Sequence, residues 1–155
     1  MITIAAPLLE TLVRHGRLAY PREACGALIG TERSGRKTVT AVRPLRNGAV
    51  GRERTGFEID PQELLALERE LDPAGPLVVG FYHSHVDRPG HPTPADLEHA
   101  WPLYSYVIVT VEGGWHASAS SWTLHEKRGV LDEEVLEVSR PAAAAPAPAE
   151  GRAEG

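Results

Sequence analysis

The sequence predicts an α/β or α+β domain built on a mixed β-sheet flanked by helices. Three observations carry the prediction. Leu8, Leu9, Leu12 and Val13 recur at helical spacing, and so do Leu64, Leu65, Leu67 and Leu71. The runs 76–82 and 106–111 are apolar almost throughout, as strands covered on both faces are. Thr38 to Val42 alternates and is rich in β-branched residues, which suits the returning arm of a hairpin. Helical and strand patterns are interspersed, so the sheet is mixed.

Each element follows in chain order. The first helix runs from about Ala6 to Ala19, and Pro21 stops it. Ala24 to Gly30 is a short apolar segment bounded by glycine, a strand. Thr31 to Lys37 is charged and contains glycine, so it is expected to be the hairpin turn before Thr38–Val42. Residues 43–56 are rich in Arg, Gly and Asn without a period and are expected to form a long mobile loop. Phe57 to Ile59 suits a short strand. Asp60 then serves as an N-cap, with Pro61 at the first helical position and Glu63 three residues after the cap. The apolar strand 76–82 runs directly into His83-Ser84-His85. After a Pro/Gly-rich loop, Thr93 to Ala100 reads as a short helix, with Thr93 as N-cap, Pro94 at the first position and Asp96 in the first turn. The strand 106–111, a Gly113-Gly114 turn and a strand from Trp115 to Leu124 follow, while 130–139 fits helix or strand equally. The segment from Pro141 is Ala/Pro low-complexity sequence that buries too little to order itself, so the folded domain is expected to span 1–140 with a disordered tail at 141–155.

Composition bounds the function. A chain of 155 residues suits one domain with a real core. A formal net charge of -5 argues against a nucleic-acid partner, because phosphate binding wants a basic face. The single cysteine, Cys25, permits no intrachain disulfide and, flanked by Ala24 and Gly26, reads as a small buried hydrophobe. The first residues lack the basic n-region of a signal peptide, and no apolar run approaches the ~20 residues that span a bilayer. The expectation is a cytoplasmic protein with no membrane association.

The informative stretch is 80–96, Gly-Phe-Tyr-His-Ser-His-Val-Asp-Arg-Pro-Gly-His-Pro-Thr-Pro-Ala-Asp. Side chains alternate along a strand, so His83 and His85 share a face where the strand opens into a loop. Asp96 follows with ten residues between, enough chain to bring a carboxylate back to the same point. Two imidazoles and one carboxylate leave the fourth tetrahedral position of a zinc ion to water, the mark of a catalytic site. Hydrolysis also needs a base, and Glu23, at the mouth of the first strand, is the best placed carboxylate. Plainer readings stand beside these. Two histidines at i and i+2 are often ordinary core or surface residues, Asp96 is also a good first-turn residue, and Glu23 alone is also a good cap. His15, His91, His99, His116 and His125 read as surface residues, and Trp101, Trp115 and Trp122 as packing residues.

Taken together, Glu23, His83-Ser84-His85 and Asp96 resemble the signature of the JAMM/MPN+ zinc metallopeptidases: a glutamate, then His-x-His, ten residues, then Asp. The flanks agree: Pro-Arg-Glu-Ala-Cys-Gly-Ala-Leu-Ile-Gly resembles the family's first strand, and the likeness spans roughly 3–125. The resemblance implies a cytidine deaminase-like fold, zinc on His83, His85 and Asp96, and Glu23 holding the catalytic water. A serine usual three residues before the aspartate is Thr93 here; its implied role is to hydrogen-bond the tetrahedral intermediate, and its hydroxyl can still donate. The short chain is similar to the compact prokaryotic branch. That implies hydrolysis of the amide after the C-terminal Gly-Gly of a ubiquitin-like sulfur-carrier protein, for example release of cysteine from a carrier–cysteine adduct. The loops 43–56 and 86–92 are the expected walls for the glycine tail. The oligomeric state stays open, a homodimer among the options.

Two other classes compete. A non-catalytic scaffold of the same fold would bind partners and lack metal ligands. A non-haem iron oxygenase would use His85-Val86-Asp87 with His116 or His125 as a facial triad.

Overall fold

The computed structural model describes residues 1–48 and 57–141. Its elements are β1 (Ile2–Ala5), α1 (Ala6–Ala19), β2 (Cys25–Arg33), β3 (Arg36–Leu45), α2 (Pro61–Glu70), β4 (Leu77–Val86), α3 (Pro94–Glu98), β5 (Ser105–Glu112), β6 (His116–His125), β7 (Val130–Glu134) and β8 (Leu136–Ser139). The strands form one mixed sheet in the order β7-β6-β5-β4-β2-β3-β1-β8. β1 runs parallel to β3 and β8, and β4 parallel to β5; the other neighbours are antiparallel. Only Val135 separates β7 from β8, which lie at opposite ends of that order. One residue spans no more than a few ångströms, so the sheet must curl until its two edges approach. The amide of Ile2 donates to the Val135 carbonyl at 3.0 Å where they meet.

Strand alternation sorts the apolar residues into two cores. Leu28, Tyr82, Val107, Val109 and Val111 pack with Leu8, Leu9, Leu12 and Val13 of α1, together with Ile2 and Ile4. Ala27, Ile29, Val78 and Phe81 pack on the other face with Leu64 and Leu67 of α2 and with Leu71, which caps its end. Gly16 lets α1 approach the sheet, since a Cβ there would lie 3.1 Å from Val111 and 3.4 Å from Ser84. Phe81 belongs to the α2 face, so His83 and His85, two and four residues on, belong to it as well.

Several expectations change. β1 carries too few residues to show a period, and its pairing partners are distant in sequence. The hairpin turn shrinks to Ser34 and Gly35, both with positive φ, because β2 and β3 extend through the charged residues on either side. β3 also takes 43–45 from the expected loop, while 49–56 fall outside the described residues. Ile59 contributes an isolated bridge to Asn47 in place of a strand. Asp60 caps α2 by accepting from the Gln62 amide at 2.9 Å, but no capping box forms: Glu63 accepts from the Arg46 amide at 2.6 Å. The ambiguous segment 130–139 is β7 and β8. The tail expected to be disordered, 142–155, also falls outside the described residues.

Candidate metal centre

β4 carries His83 and His85 to the mouth of the sheet, and both are buried. The neighbouring strand pins this end: the Ala24 amide donates to Ser84 Oγ at 2.7 Å and the Ser84 amide to the Ala24 carbonyl at 2.9 Å. Asp96 arrives from α3, whose first turn is closed by a capping box. The Asp96 amide donates to Thr93 Oγ1 at 3.2 Å, and the Thr93 amide donates to Asp96 Oδ2 at 2.8 Å.

The three side chains converge. His83 Nε2 and His85 Nε2 are 3.1 Å apart; Asp96 Oδ2 is 3.1 Å from His85 Nε2 and Asp96 Oδ1 is 3.2 Å from His83 Nε2. Among the described residues this is the only group of three His, Cys, Asp or Glu side chains placed to share an ion. His85 Nδ1 lies 2.9 Å from the Pro89 carbonyl, which only accepts, so Nδ1 carries the hydrogen and Nε2 keeps its lone pair in the neutral ring. Burial pushes the His83 pKa down against the pull of Asp96, which favours the neutral ring there too. Burial would raise the Asp96 carboxyl, but the imidazoles of His83 and His85 beside it outweigh that and hold the group well below the usual carboxylate range. A lone pair and a carboxylate oxygen therefore face each other at contact distance, an arrangement that calls for a proton or a cation between them. Nitrogens bound tetrahedrally to zinc at about 2.0–2.1 Å lie roughly 3.3 Å apart, close to the spacing of the two imidazoles here. The donor set fits zinc: two imidazoles and one ionised carboxylate, with His85 oriented by the carbonyl behind it.

A family model described as prokaryotic homologs of the JAB domain matches residues 5–125, most of the chain and all of this site. The chain belongs to that family. Among its relatives, a desampylase of Haloferax volcanii is 36% identical over 132 residues, covering 82% of this chain and 91% of the relative. A CysO-cysteine peptidase of Mycobacterium tuberculosis is 30% identical over 139 residues, covering 89% and 91%. A protein of Desulfitobacterium hafniense, solved in solution, superposes with a TM-score of 0.78 at 29% identity, covering 91% of this chain and 94% of its own. A JAB1/MPN domain protein from Archaeoglobus fulgidus superposes at 0.51 and 20% identity, covering 88% and 97%, and supports the fold.

Within this JAB-family site, Glu23 lies two residues before Cys25, the first residue of β2, which pairs with His83. Its carboxylate is buried and ion-paired with Arg88, and its carbonyl accepts from Asn47 Nδ2 at 2.9 Å. Phe57 stacks on the His83 ring with centroids 4.1 Å apart. A cleft of about 490 Å³ opens from His83 and Asp96, and Phe81, Trp101, Tyr104, Tyr106 and Trp122 are among the residues that wall it. Its walls come from 57–64, from Phe81 and His83 of β4, and from 92–131; of the two loops named from sequence, only Pro92 lines it among the described residues.

The oxygenase triad is not assembled. Asp87 turns away: its Oδ2 accepts from Tyr20 Oη at 2.6 Å and its Oδ1 from the Gly113 amide at 2.7 Å. His116 and His125 lie at the two ends of β6, outside the ligand group. Two groups of residues depart from their sequence reading. Trp101 and Trp115 are 68% and 76% exposed and only Trp122 is buried, while His15 is half-buried against Tyr82 Oη at 2.7 Å. Arg88 and Tyr20 were not singled out from sequence, and Asp87 only as a ligand of the oxygenase alternative; the one signal was a pair of opposite charges inside the ten-residue spacer, whose partners lie 65 to 67 residues away.

Proposed function

We propose that this chain, a peptidase of the JAB family, is zinc-dependent and hydrolyses the amide after the C-terminal Gly-Gly of a ubiquitin-like sulfur-carrier protein. The observation that carries the reading is the convergence of His83, His85 and Asp96 within 3.1–3.2 Å. When bound, zinc supplies Lewis acidity that polarises a carbonyl and makes water acidic enough to attack at neutral pH. Glu23 takes the proton of the attacking water and returns it to the leaving amine. Thr93 Oγ1 accepts from the Asp96 amide, and its own hydrogen is directed to the oxyanion of the tetrahedral intermediate. The relatives named desampylase and CysO-cysteine peptidase support a carrier conjugate as substrate. A glycine tail has no side chains and can thread a narrow passage to the metal. A cytoplasmic site of action fits such a substrate.

The test incubates zinc-loaded protein with a sulfur-carrier protein bearing a C-terminal Gly-Gly-cysteine adduct and follows its mass. Loss of cysteine that stops with chelator and returns with zinc is the expected result. An intact adduct after incubation with stoichiometrically loaded enzyme would overturn the substrate assignment.

A further inference from the structure

Three consecutive residues after β4 each reach a different part of the site. Asp87 has φ 51°, in the left-handed region, and is held there from three sides. Tyr20 Oη and the Gly113 amide donate to its carboxylate at 2.6 and 2.7 Å, and its own amide donates to the Val111 carbonyl at 3.0 Å. That clamp turns the chain so that Arg88 ion-pairs with Glu23. Pro89 then presents the carbonyl that orients His85. Tyr20 and Glu23 lie three residues apart, so the links Tyr20–Asp87 and Glu23–Arg88 stitch the entry to β2 onto the metal loop at two successive points.

We infer that Arg88 is a positioning residue: aimed by the Asp87 clamp, it holds the Glu23 carboxylate in register with the metal ligands. The physical need is plain. Glu23 is 2% exposed, and a buried carboxylate without a cation nearby rotates toward water or takes up a proton. A guanidinium offers several donors in a fixed plane, so it fixes the direction of the carboxylate as well as its charge. The same short loop orients the base through Arg88 and a ligand through Pro89, which ties the distance between them to one rigid turn. The catalytic consequence rests on the peptidase reading; the positional one is read without it.

The experiment is a double-mutant cycle on zinc-loaded protein, comparing wild type, Arg88→Ala, Glu23→Gln and the double variant, with Arg88→Lys as the conservative rescue. Expected is a fall in melting temperature on Arg88→Ala at least about twice as large in the wild-type background as in Glu23→Gln. Zinc content is unchanged, kcat falls about tenfold or more with KM little altered, and Arg88→Lys recovers a substantial part of kcat. If Arg88→Ala does not fold, Arg88→Gln, which keeps most of the apolar stem, takes its place in the cycle. Equal losses in both backgrounds, or an Arg88→Ala enzyme as active as wild type or more so, overturn the inference. Strong coupling in a protein that cleaves no carrier adduct removes the peptidase reading and leaves the positional role standing.

Discussion

Thr93 and Asp96 hold each other in place: the amide of each donates to the side chain of the other, at 2.8 and 3.2 Å. The contact that starts α3 is thus the contact that orients the Asp96 carboxylate, the proposed metal ligand. Thr93→Ala is expected to cost about 1 kcal/mol as a lost N-cap and, although the backbone amide that donates to Asp96 Oδ2 survives, to weaken zinc binding because the uncapped first turn that aims the carboxylate frays. Thr93→Ser keeps the hydroxyl and should keep both properties. Urea unfolding and a zinc competition assay with a chromophoric chelator measure the two effects. Zinc affinity undiminished in Thr93→Ala would separate the cap from the ligand.

Asp87 and Asp96 are both in reach of His85 by sequence, at spacings of two and eleven, yet only Asp96 faces it. Asp96→Ala should release zinc on desalting, because two imidazoles alone leave the ion half coordinated. Asp87→Ala should retain one zinc per chain and lose activity through the misplaced Arg88. Metal analysis by plasma mass spectrometry reads the difference, and zinc lost from Asp87→Ala but kept by Asp96→Ala would reverse the assignment.

The grouping of His83, His85 and Asp96 was legible because each position rests on local rules. Strand alternation puts His83 and His85 on one face, and Thr93-Pro94 announces the helix that delivers Asp96. The helix α1 was legible end to end, since its period and its stop are both local. What was illegible depends on distant partners. β1 is four residues long and becomes a strand only by lying between β3 and β8. Arg88 looks like any loop cation until Glu23 is beside it. Glu63 had the spacing of a capping box, but the Arg46 amide competes for its carboxylate. Trp101 and Trp115 read as packing residues by type, whereas both are exposed, Trp101 at the cleft and Trp115 with the Arg17 guanidinium 4.9 Å from its ring.

Cys25 pairs with His83 across the β2–β4 ladder, which invites a reading as ligand or nucleophile. Its surroundings oppose both. Burial, with the charges of Glu63 and Glu23, pushes the thiol up to about 12. The folded state therefore keeps its proton while an unfolded cysteine loses it near pH 8.5. Because the folded pKa is the higher one, the associated stability is complete below about 8.5 and is lost as pH rises from there toward 12. Native protein at pH 8 should react with iodoacetamide far more slowly than urea-unfolded protein, followed by intact mass. Rapid labelling of the folded chain would show a thiolate that this environment does not sustain.

Acid should empty the site in a defined order of causes. Burial lowers the His83 pKa, so its lone pair stays available to a cation through neutral pH. Protons compete with zinc only when the medium falls below the ordinary histidine range of about 6.5. The sign for the metal-free fold is the same. A depressed folded pKa means that the unfolded chain binds the proton first, so stability is present above about 6.5 and declines as pH falls through the folded value. His15, lowered by its burial against Tyr82, pushes in the same direction. Melting curves of chelator-treated protein from pH 8 to pH 5 should fall below 6.5, with the zinc-loaded protein holding its melting temperature to lower pH. A metal-free protein that gains stability on acidification would contradict neutral buried imidazoles.

Gly80 sits where β4 first pairs with β5, opposite Ser105, three residues before the first ligand. A Cβ at this position would lie 2.2 Å from the Ser105 carbonyl oxygen, a backbone atom that cannot swing aside. Ser105 is itself fixed, buried with its Oγ accepting from Lys37 Nζ at 3.0 Å. Gly80→Ala therefore has to part the strands. The expected cost is about 1–3 kcal/mol, the usual scale of overpacking. The displacement runs along β4 into His83 and His85, so zinc affinity should fall together with stability. Ala27→Gly, on the neighbouring strand and the same sheet, relieves space without parting strands and serves as the control for a simple loss of packing. Chemical denaturation and zinc titration on both variants distinguish the cases: coupled losses in Gly80→Ala, with near-native zinc affinity in Ala27→Gly, mark the β4–β5 contact as the support of the metal strand.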